Sequence, residues 1–247
     1  MKTAILITAR LKSTRLPYKV LKTIKGKPMI FHMLERLKQS NKSEQIILCT
    51  STIDQDDPLE DFAKNNSIDC YRGHPDDVLL RLTEAADKFD VDTVVNCTAD
   101  NPFVDPNYID RLIDFHIGNG FDFTKTQGLP LGAFSYAIQY KAMEKACAIK
   151  KEVDTEIWGG YFTNAGLFSC GTMEVEDKEI YWPELRLTVD TPEDFKLIEQ
   201  IFEELYKPGM VFSLAEIVNL CRNNPELPLI NANIIQKRKD SFLFKKM

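Results

Sequence analysis

Between residues 8 and 21 the sequence reads TARLKSTRLPYKVL, which sets Arg10, Lys12, Arg15 and Lys19 within ten positions, directly after the apolar run AILI. A strand that empties into such a loop is one way to hold a triphosphate, through Arg and Lys side chains and loop N–H groups. The loop is neither a Walker loop nor a dinucleotide fingerprint, since G-x-x-x-x-G-K-[ST] and G-x-G-x-x-G are both missing from the sequence. Taken alone it reads equally well as an exposed loop solvated by its lysines. Two acids at strand ends add to it. Asp100 follows the run VDTVVNCT, and Asp190 ends the run LRLTVD. Singly, Asp100 before Asn-Pro suits a turn and Asp190 before Thr-Pro suits the approach to a helix. Together with a basic loop at one sheet edge they suit Mg²⁺, which takes one or two protein carboxylates and fills its other positions with water and phosphate oxygens.

The elements needed to bring these groups together are legible. Ala4–Ala9 is a continuous apolar run of the kind found in buried parallel strands. In GKPMIFHMLERLKQS, Met29, Ile30, Met33, Leu34 and Leu37 share one helical face, with Pro28 suited to the first helical position. Strands are expected at Ile46–Thr50, Ile68–Tyr71 and within VDTVVNCT. Helices are expected in DPLEDFAKNN, capped by Asp57, in HPDDVLLRLTEAADKF and in DPNYIDRLIDFH. This alternation implies right-handed crossovers and a mostly parallel sheet flanked by helices, whose ligands bind outside the carboxyl ends of the strands. The second half is less regular. Gly132–Tyr140 and Gly160–Phe168 read as strands around a helix in YKAMEKACAIKK, and LRLTVD reads as a strand. Two helices open with capping boxes, Thr191 with Asp194 and Ser213 with Glu216.

The chain of 247 residues has no linker-like stretch and reads as a single domain with a tail over 233–247. The tail's basic clusters in QKRKDSFLFKKM read as a docking tail or, in preference, as a solvated end. A net charge of −6 gives little support to a nucleic-acid-coating role. No apolar run reaches membrane length, so a cytoplasmic protein is expected. The six cysteines are widely spaced and without C-x-x-C, which suits small core hydrophobes better than a zinc site or a disulfide framework.

STRLP, LKTIKGKPMIFHMLER, NCTADNPFVDP and LTVDTPED resemble, in order and spacing, the cytidylyltransferases that activate acidic sugars, among them the 3-deoxy-manno-octulosonate and acylneuraminate enzymes. RGHPDDVLLRL at residues 72–82 is similar to the branch that contains the spore-coat polysaccharide biosynthesis protein F group. The resemblance spans roughly residues 3–205. It implies a nucleotide-diphospho-sugar transferase (Rossmann-like) fold and a homodimer, with roughly residues 125–180 on the acceptor and dimerisation side. It also implies a triphosphate loop at Arg10, Ser13, Arg15 and Lys19, with Ala9 and Lys12 beside it, and a metal-binding pair at Asp100 and Asp190. Thr98 falls near the expected base, and Arg72 to Asp77 match a segment bordering the nucleotide. The sequence departs from the branch after Pro130-Leu-Gly132, where Ala133-Phe-Ser-Tyr136 replaces an acidic pattern, and at Glu156, which is followed by Ile-Trp rather than histidine. Phe134, Tyr136 and Glu156 are therefore candidates for binding the acceptor.

The expected activity is a Mg²⁺-dependent transfer of CMP from CTP to an acidic sugar or related small acceptor, with release of pyrophosphate, in surface-polysaccharide precursor synthesis. Arg15, Lys19 and Asp100 would be its catalytic groups, and no membrane partner is implied. The competing readings are transfer from another nucleoside triphosphate or to a sugar phosphate, a glycosyltransferase with an Asp-x-Asp metal site at Asp54-Gln-Asp56 or Asp90-Val-Asp92, and a non-catalytic nucleotide-binding module.

Overall fold

The structure is a computed structural model describing residues 1–237, 239 and 241–245. The first apolar run forms β1 (Thr3–Thr8), buried at every position. The basic loop follows, ending in a short 3-10 turn at Lys19–Leu21, and then the two-residue strands β2 (Thr23–Ile24) and β3 (Lys27–Pro28). Regular alternation continues with α1 (Met29–Leu37), β4 (Gln45–Ser51), α2 (Asp57–Asn65), β5 (Asp69–Gly73), α3 (Val78–Lys88), β6 (Thr93–Thr98) and α4 (Pro106–Asn119). The second half holds β7 (Phe123–Gln127), β8 (Tyr136–Gln139), α5 (Tyr140–Ile149), α6 (Gly160–Thr163) and β9 (Cys170–Glu174). It closes with α7 (Pro192–Leu205), α8 (Leu214–Asn223) and α9 (Glu226–Leu229).

Seven strands make one sheet in the order β5-β4-β1-β6-β8-β7-β9, in which only β8 runs against the rest. Pleating divides the core between its two faces. Ile5 and Ile7 of β1 join the cluster containing Met33 of α1, Leu112 of α4 and Ile198 of α7. Ala4 and Leu6 join the cluster containing Leu82 of α3 and Met143 of α5. Cys49 and Cys97 are fully buried among these apolar side chains. Because the chain leaves β1 toward β4 but leaves β6 toward β7 and β8, the loops after β1 and β6 diverge and leave a crevice at the carboxyl edge.

Several expectations for the second half need correction. The expected strand at Gly132–Tyr140 is confined to Tyr136–Gln139, because Gly132 takes φ +100° in a turn. A Cβ there would sit 2.5 Å from the backbone nitrogen of Thr188, so this turn packs directly on the segment leading to Asp190. Gly160–Phe168 is not a strand: it starts as the short helix α6, then turns at Gly166, and the ladder begins only at Cys170. LRLTVD is extended but joins no ladder among the described residues; it makes an isolated bridge to Leu131, through Leu131 N–H to Leu185 O and Leu187 N–H to Leu131 O, and a single bond from Val189 N–H to Asp100 O. Asp57 is the first residue of α2 rather than its cap; Asp56 stands in the cap position. The tail is not a solvated end over its described part. Phe242 and Phe244 pack edge-on to Tyr161, while Lys151 N–H bonds Leu243 O and Lys245 N–H bonds Ile149 O. The apolar triplet inside SFLF supplies the anchor that a reading of its charges passes over.

Candidate active site

The crevice at the ends of β1 and β6 is a cavity of about 640 Å³. Its floor is tied down by backbone bonds: Ala99 N–H donates to Thr8 O at 2.9 Å, and Asn101 N–H to Thr98 O at 2.9 Å. The basic loop is held from behind. Buried Asp56 accepts from Leu11 N–H at 2.7 Å and from the Ser51 hydroxyl, which fixes the loop's departure while its cations remain at the cavity. Ser13 Oγ accepts from Leu16 N–H at 3.3 Å and closes the loop's middle turn.

Asp100 and Asp190 come from distant parts of the chain and meet through one backbone bond, Val189 N–H to Asp100 O at 2.8 Å. Between them lies the ammonium of Lys19. Its Nζ is 2.9 Å from Asp100 Oδ2, 2.9 Å from Asp190 Oδ1 and 2.7 Å from Val189 O. Arg15 Nη2 approaches Asp190 Oδ1 at 3.2 Å. Arg186 donates from Nη2 to Asp190 Oδ2 at 3.0 Å and from Nε to Asp194 Oδ1 at 2.8 Å. Burial opposes charge on both Lys19 and Asp190, but each is overruled by its partners: Lys19 is held above the usual lysine value by Asp100 and Asp190, and Asp190 below the usual carboxylate value by Lys19, Arg15 and Arg186.

The residues named from sequence separate into two sets. Ala9, Arg10, Lys12, Ser13, Arg15, Lys19, Thr98, Asp100, Glu156 and Asp190 all line the cavity. Arg72 does not: its guanidinium turns to Asp57 and Glu60 at 2.6 and 2.7 Å and to the carbonyls of Ser51 and Ile53. Nor does Asp77, which caps α3 by accepting from Leu80 N–H at 3.1 Å and pairs with buried Lys150. Its neighbour Asp76 is the one at the cavity, 3.3 Å from Arg10 Nη1. Phe134 and Tyr136 also stay out of the lining. Tyr136 stacks on Phe123 and meets Trp158 edge-on at 5.6 Å, so these rings back Trp158, which does line the cavity. Neither Asp-x-Asp pair reaches it: Asp56 is buried behind the loop, and Asp92 accepts from Lys2 N–H at the opposite edge of the sheet.

Sequence reasoning missed Arg81, Trp158, Gln236 and Lys237 as lining groups. Arg81 carried a signal, because it sits three residues after Val78 on the apolar face of its helix, where a cation is out of place. It is 1% exposed, gives Nη1 to the carbonyls of His74 and Pro75, and has no partner for Nε among the described residues. Burial lowers it to about 10. Gln236 and Lys237 carried none. They reach the cavity because the tail crosses its mouth, with Gln236 Oε1 accepting from Arg186 Nη1 at 2.5 Å and Lys237 pairing with Glu156 at 2.8 Å.

Comparison with known proteins gives concordant matches. Residues 4–217 match the family described as Cytidylyltransferase. An uncharacterised protein of Methanocaldococcus jannaschii is 31% identical over 241 residues, 96% of this chain and 97% of that protein. The spore coat polysaccharide biosynthesis protein SpsF of Bacillus subtilis is 26% identical, over 90% of this chain and 94% of its own length. A solved structure of a cytidylyltransferase from Leptospira borgpetersenii superposes with a TM-score of 0.85 at 26% identity, covering 96% of this chain and all of that one.

Proposed function

The chain belongs to the cytidylyltransferase family, and from that membership we propose that it moves CMP from CTP to an acidic sugar, with Mg²⁺ bound, in the synthesis of a surface-polysaccharide precursor. The observation that carries this reading is the meeting of Lys19 with Asp100 and Asp190 inside a cavity that Arg10 and Arg15 also line. A triphosphate brings three to four negative charges, and loop cations converging from one side are positioned to take the β- and γ-phosphates. The acceptor oxygen attacks the α-phosphorus, its bond forms as the bond to the α,β-bridging oxygen breaks, and pyrophosphate leaves. Arg15 and Lys19 stabilise the charge that builds on this leaving group, in a site whose work is positioning and neutralisation.

The donor set fits Mg²⁺. Two carboxylate oxygens and one carbonyl oxygen already converge on a single cationic position, that of the Lys19 ammonium, and hard oxygen donors are what this ion selects. Asp100 and Asp190 would hold it, and when bound it would supply positive charge to the phosphates. Among the described residues no cluster of three or more His, Cys, Asp or Glu gathers around one point, so the remaining ligands would be water and nucleotide.

The acceptor is proposed to lie on the β6–β8 side, between Glu156, Trp158 and the tail. Lys237 and Glu156 are 61% and 51% exposed, and an ion pair that open holds with at most about 1 kcal/mol. It can part so that Lys237 meets an acceptor carboxylate while Glu156 accepts from hydroxyls. Homodimerisation and a cytoplasmic location are proposed on the family resemblance. CTP with Mg²⁺ should raise the melting temperature more than ATP, GTP or UTP, and pyrophosphate should appear when CTP is mixed with 3-deoxy-manno-octulosonic or N-acetylneuraminic acid. A larger shift with GTP would remove the cytidylyl assignment.

A further inference from the structure

Lys19 stands where a cation shared by the two acids has to stand. Its three bonds, to Asp100, Asp190 and the Val189 carbonyl, use all three ammonium donors. Asp190 is engaged at both oxygens, by Lys19 and Arg15 at Oδ1 and by Arg186 at Oδ2. A divalent ion cannot take these oxygens while the ammonium holds them, because the two cations would compete for the same lone pairs at contact distance. We infer that Lys19 is a placeholder: its ammonium keeps the acid pair closed to divalent metal until a polyanion in the same cavity draws it away.

The surroundings supply what the exchange needs. Lys19 opens a 3-10 turn directly after Tyr18, and the flanking Leu16 and Val20 are buried in the core, so the exchange needs only a swing of the Lys19 side chain within the cavity it already lines, with the backbone and the sheet left in place. Arg186 does not travel with it, since Asp194 and Gln236 hold the rest of its guanidinium. Displacing Lys19 frees Asp100, and the half-exposed Arg15 can leave Asp190 Oδ1 for the same polyanion, so the acid pair opens while it stays positioned by Arg186 on one side and by the Val189–Asp100 backbone bond on the other. By linkage, a triphosphate that raises metal affinity by some factor has its own affinity raised by the same factor. Metal then enters with the nucleotide or after it. That last step rests on the proposed function; the competition between Lys19 and metal rests on geometry alone.

The test uses Mn²⁺ and the full chain without nucleotide, reading the free-ion electron paramagnetic resonance signal. Lys19→Ala should bind Mn²⁺ at least tenfold more tightly than the wild type, and the gain should vanish in Lys19→Ala/Asp100→Asn. Lys19→Gln, which keeps a neutral donor between the acids, should show the same gain should the alanine variant fold poorly. Wild type binding as tightly as both variants, no gain in either, or a gain that survives Asp100→Asn would each overturn the inference. A separate calorimetric titration with CTP distinguishes the two readings: absence of CTP binding sinks the proposed function, while the nucleotide-free Mn²⁺ comparison still decides the role of Lys19.

Discussion

Asp100 and Asp190 face the same ammonium but are not equivalent. The Asp100 side chain is 26% exposed, and its side-chain bond in the structure is to Lys19. Asp190 is buried, and it closes a network with Arg15, Lys19, Arg186 and Asp194. Replacing either by asparagine preserves shape and removes the charge. Asp100→Asn and Asp190→Asn should each lower pyrophosphate release by two orders of magnitude or more, the usual scale for losing a charge that stabilises a transition state. Their stabilities should differ. The Asp190→Asn change would leave Arg186 with one carboxylate instead of two in a buried setting, whereas at position 100 the new amide has an opening to water. Thermal melts should therefore place Asp190→Asn below Asp100→Asn. Equal melting with near-normal activity in either variant would return that acid to a turn or cap role.

The elements that hold these residues fall into two groups, and the division explains what the sequence made legible. β1, β4 and β6 are buried on both faces and announce themselves as apolar runs, and the helices between them carry caps and one apolar face. Asp100 and the basic loop could be placed because they follow such runs, and Asp190 because the capping box of α7 marks where its extended segment ends. The segments after Gly128 are shaped instead by tertiary contact. LRLTVD has strand composition but is extended against a glycine turn rather than in a ladder, and the tail is positioned by two phenylalanines that find Tyr161. No periodicity encodes either arrangement, so Gln236, Lys237 and Trp158 stayed hidden. Gly160 offers the test at this scale. A Cβ there would lie 2.0 Å from the Phe242 ring, so Gly160→Ala must expel that ring. Unseating one phenylalanine should cost about 1–2 kcal/mol, or roughly 2–8 °C in melting temperature for a chain of this size. It should also speed tryptic cleavage after Lys237 and raise the acceptor KM more than the CTP KM. Faster cleavage with an unchanged acceptor KM would show that the tail anchors the fold without touching the acceptor.

At the scale of the whole molecule, charge is organised locally rather than by the net balance. The chain carries −6 overall, and the cavity sets the cations of the basic loop against acids brought from distant segments, Asp100 and Asp190 among them, so the balance at the site depends on a fold that stays intact. One group ties that integrity to pH. His116 of α4 is fully buried, with Nδ1 2.8 Å from Thr124 Oγ1 of β7 and Nε2 3.2 Å from Gln139 Nε2 of β8. It thus joins the helix to the two strands that extend the sheet beyond β6. Burial lowers it to about 4, with Asp122 pulling weakly the other way. The unfolded chain regains an ordinary histidine near 6.5, so between those values the unfolded state binds the proton and the folded state does not. Stability contributed by the neutral ring is complete above about 6.5 and drains as the pH falls toward 4, amounting to about 2 kcal/mol lost by pH 5. His116→Gln removes this titration while keeping a donor and an acceptor. Melting temperatures of the wild type and this variant should converge as the pH is taken from 7.5 to 5, the variant starting lower because its packing is poorer. Parallel curves would mean that His116 takes up its proton at the same pH folded as unfolded, and that the acid sensitivity of the fold comes from its carboxylates alone.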